Sequence, residues 1–275
     1  MQEWLLHYKS SQINCYKFGN GEKIAVCFHG YGEDGSMYRF LEKHAGDQYS
    51  FYSIDMPFHG KTQWNEGLIL THMDLQHIIA EMLGENKQRL ETGNLRLSLV
   101  GFSLGGRIAL SLYQAQPGSI EKLVLLAPDG LKVNFWYWLA TQTYLGNKLF
   151  AFSMKHPGWF FGFIKLLNKL GVVNTSIFKF VNYYIGNFEV RDLLYKRWTT
   201  LRKLKPNLHR IKKFVRQYKT PARLVYGKYD RIILPIRGEK FQEGIEEFCT
   251  VSIIHSGHQV LHENHVEGIM NALAY

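Results

Sequence analysis

Short apolar segments alternate with longer amphipathic segments along most of the chain, and this order limits the possible folds more than any other feature. Residues 23–29 are apolar and bounded by glycines, a pattern typical of a buried strand. Residues 71–90 carry apolar side chains at helical spacing, which predicts a helix packed on one face. Strands separated by helices form a mostly parallel sheet with helices on both faces, so we predict an α/β fold. Residues 5–18 are expected to add an antiparallel edge.

The other strands and helices follow from the same two patterns and from the prolines that end them. Ligands of parallel sheets bind at the carboxyl ends of the strands, so the residues that follow each strand are the first candidates for chemistry. The predicted strands are 51–56, 95–102, 122–127, 222–226 and 249–255, and the predicted helices are 36–45, 105–116, 235–247 and one that begins near residue 261.

The composition excludes several classes of protein. A chain of 275 residues, of which 46% are hydrophobic and 20% charged, can bury a sizeable core, which excludes intrinsic disorder. Three cysteines without a C-x-x-C pair exclude a disulfide scaffold and a zinc-ribbon site. The sequence has no charge-free apolar run of about 18 residues and no recognisable signal peptide, so a cytoplasmic protein is expected.

The net charge of +10 is concentrated in residues 131–216. This segment has 16 Lys and Arg against two acidic residues, and it holds 19 of the 40 aromatic residues of the chain. The rest of the chain is mildly acidic, with a net charge of −4. We therefore predict an α/β core formed by residues 1–130 and 217–275, and a helical, aromatic-rich, basic cap formed by residues 131–216.

Ser103 is the candidate nucleophile. It lies in a G-x-S-x-G sequence, residues 101–105, between a predicted strand and a predicted helix. In this context the motif forms a sharp turn that exposes the serine hydroxyl at the end of the strand, and the glycines avoid collisions across the turn. The helix that follows directs backbone N–H groups at a negative charge developing on a bound substrate.

A serine hydroxyl needs a histidine base, which an acidic residue must orient. His258 follows the last predicted strand on a loop, which makes it the preferred base among the 12 histidines. Asp230 directly follows another strand and is the preferred acid. Asp129, which follows the preceding strand, is the alternative acid, although its neighbours Pro128 and Gly130 are also typical of an ordinary turn.

Two backbone N–H groups are needed to stabilise an oxyanion. The Leu104 N–H, directly after the candidate nucleophile, is one predicted donor. The other is the Tyr31 N–H, in a glycine-containing loop after the predicted strand 23–29. His29 is expected to brace this loop by hydrogen bonding rather than to take part in the chemistry.

Together these motifs resemble the α/β-hydrolase superfamily, and the resemblance covers the whole of the predicted core. Phe58 stands where glycine is common in the superfamily, which we interpret as a local variation of the loop. Because Ser103 occupies the elbow, members with an aspartate nucleophile, such as epoxide hydrolases and haloalkane dehalogenases, are disfavoured. The superfamily also includes thioesterases, lyases, C–C hydrolases and proteins without catalysis, so the resemblance implies a reaction class and not a substrate. The matching residues are 29–32, 55–60 and 101–105, followed by Asp230 and residues 257–258.

The resemblance also implies a role for the predicted cap, because members of the superfamily commonly carry an insertion after the strand that follows the elbow helix. We expect the cap to act as a lid whose aromatic side chains line an apolar pocket for an acyl or aryl group. The alternative for each single aromatic residue is that it packs inside the cap or against the sheet. Breaks between the helices of the cap are predicted at residues 157–158 and at Gly171.

A basic amphipathic stretch, residues 195–213, has three interpretations. It is a solvated helix face, a contact with an anionic membrane surface, or a surface that attracts acidic substrates such as CoA thioesters. The first is the usual meaning of a run of charge, and the second would place the protein peripherally at the inner membrane surface. Nucleic acid is not an expected partner, because no recognised binding motif accompanies the charge.

The sequence as a whole predicts a serine hydrolase that acts on a small-molecule ester or thioester, most simply a carboxylesterase or lipase-like enzyme. A thioesterase, a C–C hydrolase or a lyase with the same three residues is the alternative within the fold. A non-catalytic, membrane-associated binding protein is the alternative of another class. No metal or organic cofactor is implied, and the oligomeric state does not follow from the sequence.

Overall fold

A computed structural model describes residues 1–132, 135–169 and 186–274 of the chain. These residues contain an eight-stranded sheet with the strand order β1-β2-β4-β3-β5-β6-β7-β8. The strands are β1 Gln2–Tyr8, β2 Ser11–Phe18, β3 Lys23–Phe28, β4 Tyr49–Ile54, β5 Leu97–Phe102, β6 Ile120–Leu126, β7 Ala222–Gly227 and β8 Cys249–Ile254.

Most of the sheet is parallel, and one edge is antiparallel. Strands β4, β3, β5, β6, β7 and β8 pair with their neighbours in parallel. Strand β2 pairs antiparallel with both β1 and β4. The α/β fold predicted from the alternation of segments is therefore confirmed, and the predicted antiparallel edge is a hairpin of two strands.

The helices lie close to their predicted positions, with two divisions. The predicted helix 36–45 is a 3₁₀ helix, Gly35–Tyr38, followed by a short α-helix. The predicted helix 71–90 is split into α2 and α3 by a short turn at Gly84, whose φ of 55° lies in the left-handed region that favours glycine. Thr71 begins α2 with a capping box shared with Asp74. The helices are α1 Leu41–Ala45, α2 His72–Met82, α3 Lys87–Glu91, α4 Leu104–Ala115, α5 Phe135–Gln142, α6 Tyr144–Lys155, α7 Pro157–Lys169, α8 Phe188–Thr200, α9 Leu208–Tyr218, α10 Ile236–Gln242 and α11 Val266–Ala274.

The chain divides into two compact units. The larger unit comprises Met1–Glu66, Leu70–Lys132 and Lys203–Tyr275, and it contains the sheet. The smaller unit comprises Gly67–Ile69 and Val133–Arg202. Its end at Arg202 comes earlier than the end of the cap that the composition predicted at residue 216.

Helix α9 accounts for this difference in the boundary. Its apolar residues Ile211 and Val215 are buried, and the helix contacts α4 of the larger unit. Its basic residues Arg210 and Lys213 are exposed. The composition of residues 131–216 reflects the exposed basic side chains of α9. The unit to which α9 belongs depends instead on its buried apolar face.

In the smaller unit, aromatic side chains hold α5, α6 and α8 together. Tyr137 of α5 and Phe150 of α6 both contact Trp198 of α8, with ring centroids 5.2 and 5.7 Å apart. The Asn147 side chain of α6 donates a hydrogen bond of 3.2 Å to the Thr199 hydroxyl of α8. These three helices therefore share a packed interior, to which some of the many aromatic residues of the segment contribute.

The predicted break at residues 157–158 coincides with the start of α7. The predicted break at Gly171 lies outside the described residues, as does most of the apolar segment that follows it. Among the helices that the structure describes, none is long and apolar enough to cross a membrane.

Helix α4 packs very closely on the sheet. A Cβ atom at Gly105 would lie 1.8 Å from the Phe28 carbonyl oxygen at the end of β3. A Cβ atom at Gly106 would lie 2.4 Å from the Pro128 Cβ. Neither contact can be relieved by rotating a flexible side chain, so these two glycines determine how closely the start of α4 approaches the sheet.

We expect Gly105→Ala to lower the free energy of unfolding by about 1–3 kcal/mol or more, because the added methyl group forces α4 away from β3. Gly118→Ala is the matched control, since a Cβ atom there meets only the Tyr218 ring, at 3.6 Å. Equilibrium unfolding in urea measures both effects. A Gly105→Ala protein as stable as the control would show that the close approach is not needed.

Candidate active site

The candidate nucleophile lies on a strained turn between β5 and α4. The φ and ψ of Ser103 are 50° and −115°, a backbone conformation that residues other than glycine rarely adopt. Its N–H donates to the Leu126 carbonyl at 3.0 Å, and its carbonyl accepts from the N–H groups of Gly106 at 2.9 Å and Asp129 at 2.8 Å. These bonds hold the predicted elbow in shape.

Ser103 and His258 are joined by a hydrogen bond, and so are His258 and Asp230. The His258 Nε2 lies 2.9 Å from the Ser103 Oγ, and the His258 Nδ1 lies 2.8 Å from the Asp230 Oδ2. Beside an ionised carboxylate the Nδ1 carries the ring proton, so the Nε2 accepts a hydrogen bond from the serine hydroxyl. The structure thus brings together the three residues that the sequence proposed.

The Asp230 carboxylate is fully buried and well hydrogen-bonded. Its Oδ1 accepts from the backbone N–H groups of Ile232 at 2.7 Å and Ile233 at 2.9 Å, and its side chain has 0% relative exposure. The Oδ2 is left to face His258. This arrangement fixes the direction in which the carboxylate orients the imidazole ring.

The loops that follow β7 and β8 are fastened to each other. The Lys228 N–H donates to the Ile254 carbonyl at 2.8 Å, and the Tyr229 N–H donates to the Ser256 carbonyl at 2.9 Å. A Cβ atom at Gly227 would lie 1.9 Å from the Gly257 carbonyl oxygen. Because the two backbones approach so closely, the residues that follow them in the chain, Asp230 and His258, are brought within hydrogen-bonding distance.

Asp129, the alternative acid, lies elsewhere in the site. Its Oδ1 accepts from the Gly130 N–H at 2.7 Å, and its Oδ2 lies 3.5 Å from the Arg107 Nε. Its side chain is 40% exposed. The geometry therefore favours Asp230 as the partner of His258, and the Asp129 backbone instead supports the turn at Ser103.

The loop after β3 is braced by the buried His29, as the sequence suggested. The His29 Nε2 accepts a hydrogen bond of 3.0 Å from the Met56 N–H, so the Nδ1 is the protonated nitrogen and donates to the Gly30 carbonyl at 2.7 Å. Tyr31, the predicted oxyanion donor, follows in this loop, with its ring at 6.0 Å from the ring of His59. Leu104 is the first residue of α4, where a backbone N–H has no partner within the helix.

Sequence reasoning missed a second connection between the loops, formed by Glu33 and Gln259. The Glu33 Oε2 accepts from the Gly30 N–H at 3.2 Å, and its Oε1 accepts from the Gln259 side chain at 3.2 Å. Burial raises the pKa of the Glu33 carboxyl, and these two hydrogen bonds offset part of the rise. The only sequence signal is an acidic residue soon after a strand, which does not identify its partner.

Glu33 and Gln259 also line a cavity of about 930 Å³ in the larger unit, together with polar and charged residues such as Arg39 and Lys43. Ser103, Asp230 and His258 are not among the residues that line it. The cavity therefore lies beside the three hydrogen-bonded residues rather than over them. Within the described part of the chain, no group of three His, Cys, Asp or Glu side chains is placed to hold a metal ion.

Comparisons with known proteins agree on a hydrolase. The family described as serine aminopeptidase, S33, matches residues 19–265. The uncharacterized hydrolase YugF of Bacillus subtilis (strain 168) is 23% identical over 247 residues, which cover 88% of this chain and 86% of that protein. The pimeloyl-(acyl-carrier protein) methyl ester esterase of Aeromonas salmonicida (strain A449) is 25% identical over 142 residues, which cover 50% of this chain and 52% of that esterase.

Solved structures agree on the fold. A thermophilic esterase from Thermogutta terrifontis, solved with malate bound, matches with a TM-score of 0.64 over 100% of this chain and 97% of the esterase. The two sequences are 14% identical, so this likeness concerns the fold alone. The fold and the family match together establish an α/β hydrolase.

We expect Glu33→Gln to change how stability depends on pH. Because burial raises the folded-state pKa of Glu33 above its ordinary value of 4.5, the folded protein binds this proton more tightly than the unfolded chain does. Wild-type stability, relative to the variant, should therefore fall as the pH rises from 4.5 through the folded-state pKa. Urea unfolding over a pH series measures this difference, with Glu85→Gln at an exposed side chain as control. A constant or rising difference would contradict the burial argument.

Proposed function

We propose that this chain, which belongs to the serine aminopeptidase S33 family of α/β hydrolases, cleaves carboxylic esters with Ser103 as the nucleophile. The observation that carries the proposal is the unbroken series of hydrogen bonds from the Ser103 hydroxyl through His258 to the buried Asp230. A serine hydroxyl at neutral pH needs a base, which His258 supplies, and the base needs a group that orients it, which Asp230 supplies.

In the first half of the reaction the Ser103 Oγ attacks the ester carbonyl carbon while its proton passes to the His258 Nε2. The Asp230 carboxylate stabilises the imidazolium through the Nδ1–H and remains ionised. When the tetrahedral intermediate collapses, the bond between carbon and the alkoxy oxygen breaks. The alcohol leaves with the proton from the Nε2, and the acyl group stays on Ser103.

In the second half, water attacks the acyl carbon and gives its proton to the His258 Nε2. Collapse releases the carboxylic acid and returns the proton to the Ser103 Oγ, so the enzyme regains its starting state. In both tetrahedral intermediates the negative oxygen is stabilised by the Leu104 and Tyr31 N–H groups. The N-terminus of α4 adds a favourable dipole at the same position.

The proposed substrates carry an apolar acyl or aryl group. Directly after Asp230, the loop exposes large apolar side chains, with Ile232 73% and Leu234 46% exposed. Because Asp230 is hydrogen-bonded to His258, this loop belongs to the candidate site, and its apolar side chains favour binding of an apolar substituent there. The relative named as a methyl ester esterase supports an ester as the bond that is cleaved.

We expect hydrolysis of p-nitrophenyl esters, with kcat/KM rising about three- to fourfold per added methylene while the acyl chain is buried. Ser103→Ala and His258→Ala should each lower kcat by about 10⁶-fold, the scale seen when a triad serine or histidine is removed. Initial rates over a series of acyl chain lengths, with acyl-CoAs assayed in parallel, measure both effects.

Labelling with a fluorophosphonate provides the control, because it reports on the nucleophile without requiring the correct substrate. Folded wild-type protein that is not labelled at Ser103 would refute the serine nucleophile. Labelling that persists undiminished in His258→Ala would refute the base. Turnover of acyl-CoAs in preference to oxygen esters would keep the nucleophile and reassign the substrate to thioesters.

We expect Asp230→Asn to lower kcat by about 10⁴-fold, because an amide no longer stabilises the correct tautomer and the imidazolium of His258. Asp129→Asn is the matched control, since its carboxylate contacts Gly130 and Arg107 instead. Its expected effect on kcat is less than about 10-fold. Steady-state kinetics on the same ester measure both variants, and the reverse order of effects would make Asp129 the acid.

A further inference from the structure

Helices α5, α6 and α7 expose an unusual number of large apolar side chains. Trp136 of α5 is 71% exposed and Leu145 of α6 is 78% exposed. Single exposed apolar residues are common on protein surfaces, whereas several on helices that contact one another mark an interaction site, and α6 contacts both α5 and α7. We call this group the apolar–lysine face. Its exposed apolar members are Phe135, Trp136, Leu145, Leu149, Phe152 and Trp159.

On α6 the exposed apolar side chains form a stripe. Leu145, Leu149 and Phe152 are spaced by four and three residues, so they lie on one side of the helix. Lys148 and Lys155 are exposed along one edge of this stripe. An amphipathic helix in a protein normally turns its apolar stripe inward, whereas α6 presents this one to solvent with lysines beside it.

The charge on these helices has one sign. Residues 135–169 contain four lysines and no Asp or Glu. Within the described part of the chain, none of the four forms an ion pair with a carboxylate, and Lys148 lies over the Tyr144 ring at 4.4 Å. Helix α8 of the same unit differs, because its Lys196 is paired with Asp192 at 2.7 Å. The four lysines are Lys148, Lys155, Lys165 and Lys169.

We propose that the apolar–lysine face docks on the surface of an anionic phospholipid bilayer. Tryptophan and leucine side chains enter the boundary between headgroups and acyl chains, while lysine stems extend so that their ammonium groups meet lipid phosphates. Residues 135–169 themselves carry no acidic side chain that would repel anionic lipid. The inference does not depend on the proposed ester hydrolysis, because its readout is binding.

A second copy of the chain fits the same face less well. In a symmetric dimer each face meets an identical face, which would place four lysines against four lysines without a carboxylate to pair them. An anionic lipid surface supplies the missing negative charge and the apolar environment together. The charge complementarity therefore selects the bilayer as the occupant.

Flotation with vesicles tests the proposal. Wild-type protein should bind vesicles of phosphatidylcholine mixed with phosphatidylglycerol and bind far more weakly to phosphatidylcholine alone. The double variant Leu145→Glu/Phe152→Glu should lose binding. Leu5→Glu/Ile253→Glu, at two apolar side chains that are each 50% exposed in the larger unit, should retain it. Circular dichroism verifies that every variant is folded.

The charge is tested separately. Lys148→Gln/Lys155→Gln should weaken partitioning to the anionic vesicles by about 25-fold, which is about fivefold per lysine. Lys205→Gln/Lys213→Gln removes the same charge from exposed positions of the larger unit and should have a much smaller effect. Equal losses in the two pairs, absence of binding by wild-type protein, or a vesicle-independent dimer abolished by Leu145→Glu/Phe152→Glu would each overturn the proposal.

Discussion

The left-handed backbone at Ser103 is the constraint on which the candidate site depends. Such a conformation costs free energy and persists only where its surroundings hold it. Here the bonds to Leu126, Gly106 and Asp129 satisfy both backbone groups of Ser103, while glycine at position 105 lets α4 start against the end of β3. This turn therefore leaves the Ser103 hydroxyl free to meet His258 at the end of β5, and α4 begins with the next residue.

The other half of the site depends on the burial of Asp230. A carboxylate without exposure is stable only if donors surround it, and here two backbone N–H groups bind one oxygen while His258 binds the other. The same hydrogen bond that satisfies the buried charge also orients the imidazole ring towards Ser103. One hydrogen bond thus both stabilises the buried carboxylate and orients the ring, and it forms without a substrate.

The strands, the elbow and the three candidate residues could be predicted because each has a local signal: periodicity, flanking glycines, or a position after a strand. The choice between Asp129 and Asp230 rested on a weaker signal, the turn-forming neighbours Pro128 and Gly130, which made Asp129 the less favoured acid. The contact that separates the two carboxylates, from the Gly130 N–H to Asp129, is visible only in the structure. Position 58 shows a different limit. Its φ of 64° lies in the left-handed region that favours glycine, yet the chain has Phe58 there, so the residue type does not announce the conformation. Glu33 was missed because its partner Gln259 is distant in sequence.

The predicted end of the cap differs from the end of the smaller unit for a related reason, because the contacts of α9 are not visible in its composition. Lys212 donates to the carbonyls of Lys240 and Glu243, and Arg216 donates to the carbonyl of Gly244. These carbonyls lie at and beyond the end of α10, where a helix leaves acceptors without internal partners. These basic side chains of α9 therefore stabilise the larger unit, and their hydrogen bonds already engage the charge. The lysines of α6 and α7 are fewer than the basic residues of the stretch 195–213, but they lie on the same helices as exposed apolar side chains, and these helices carry no carboxylates. What a surface can bind depends on this combination of charge and apolar side chains, rather than on the total charge of a segment.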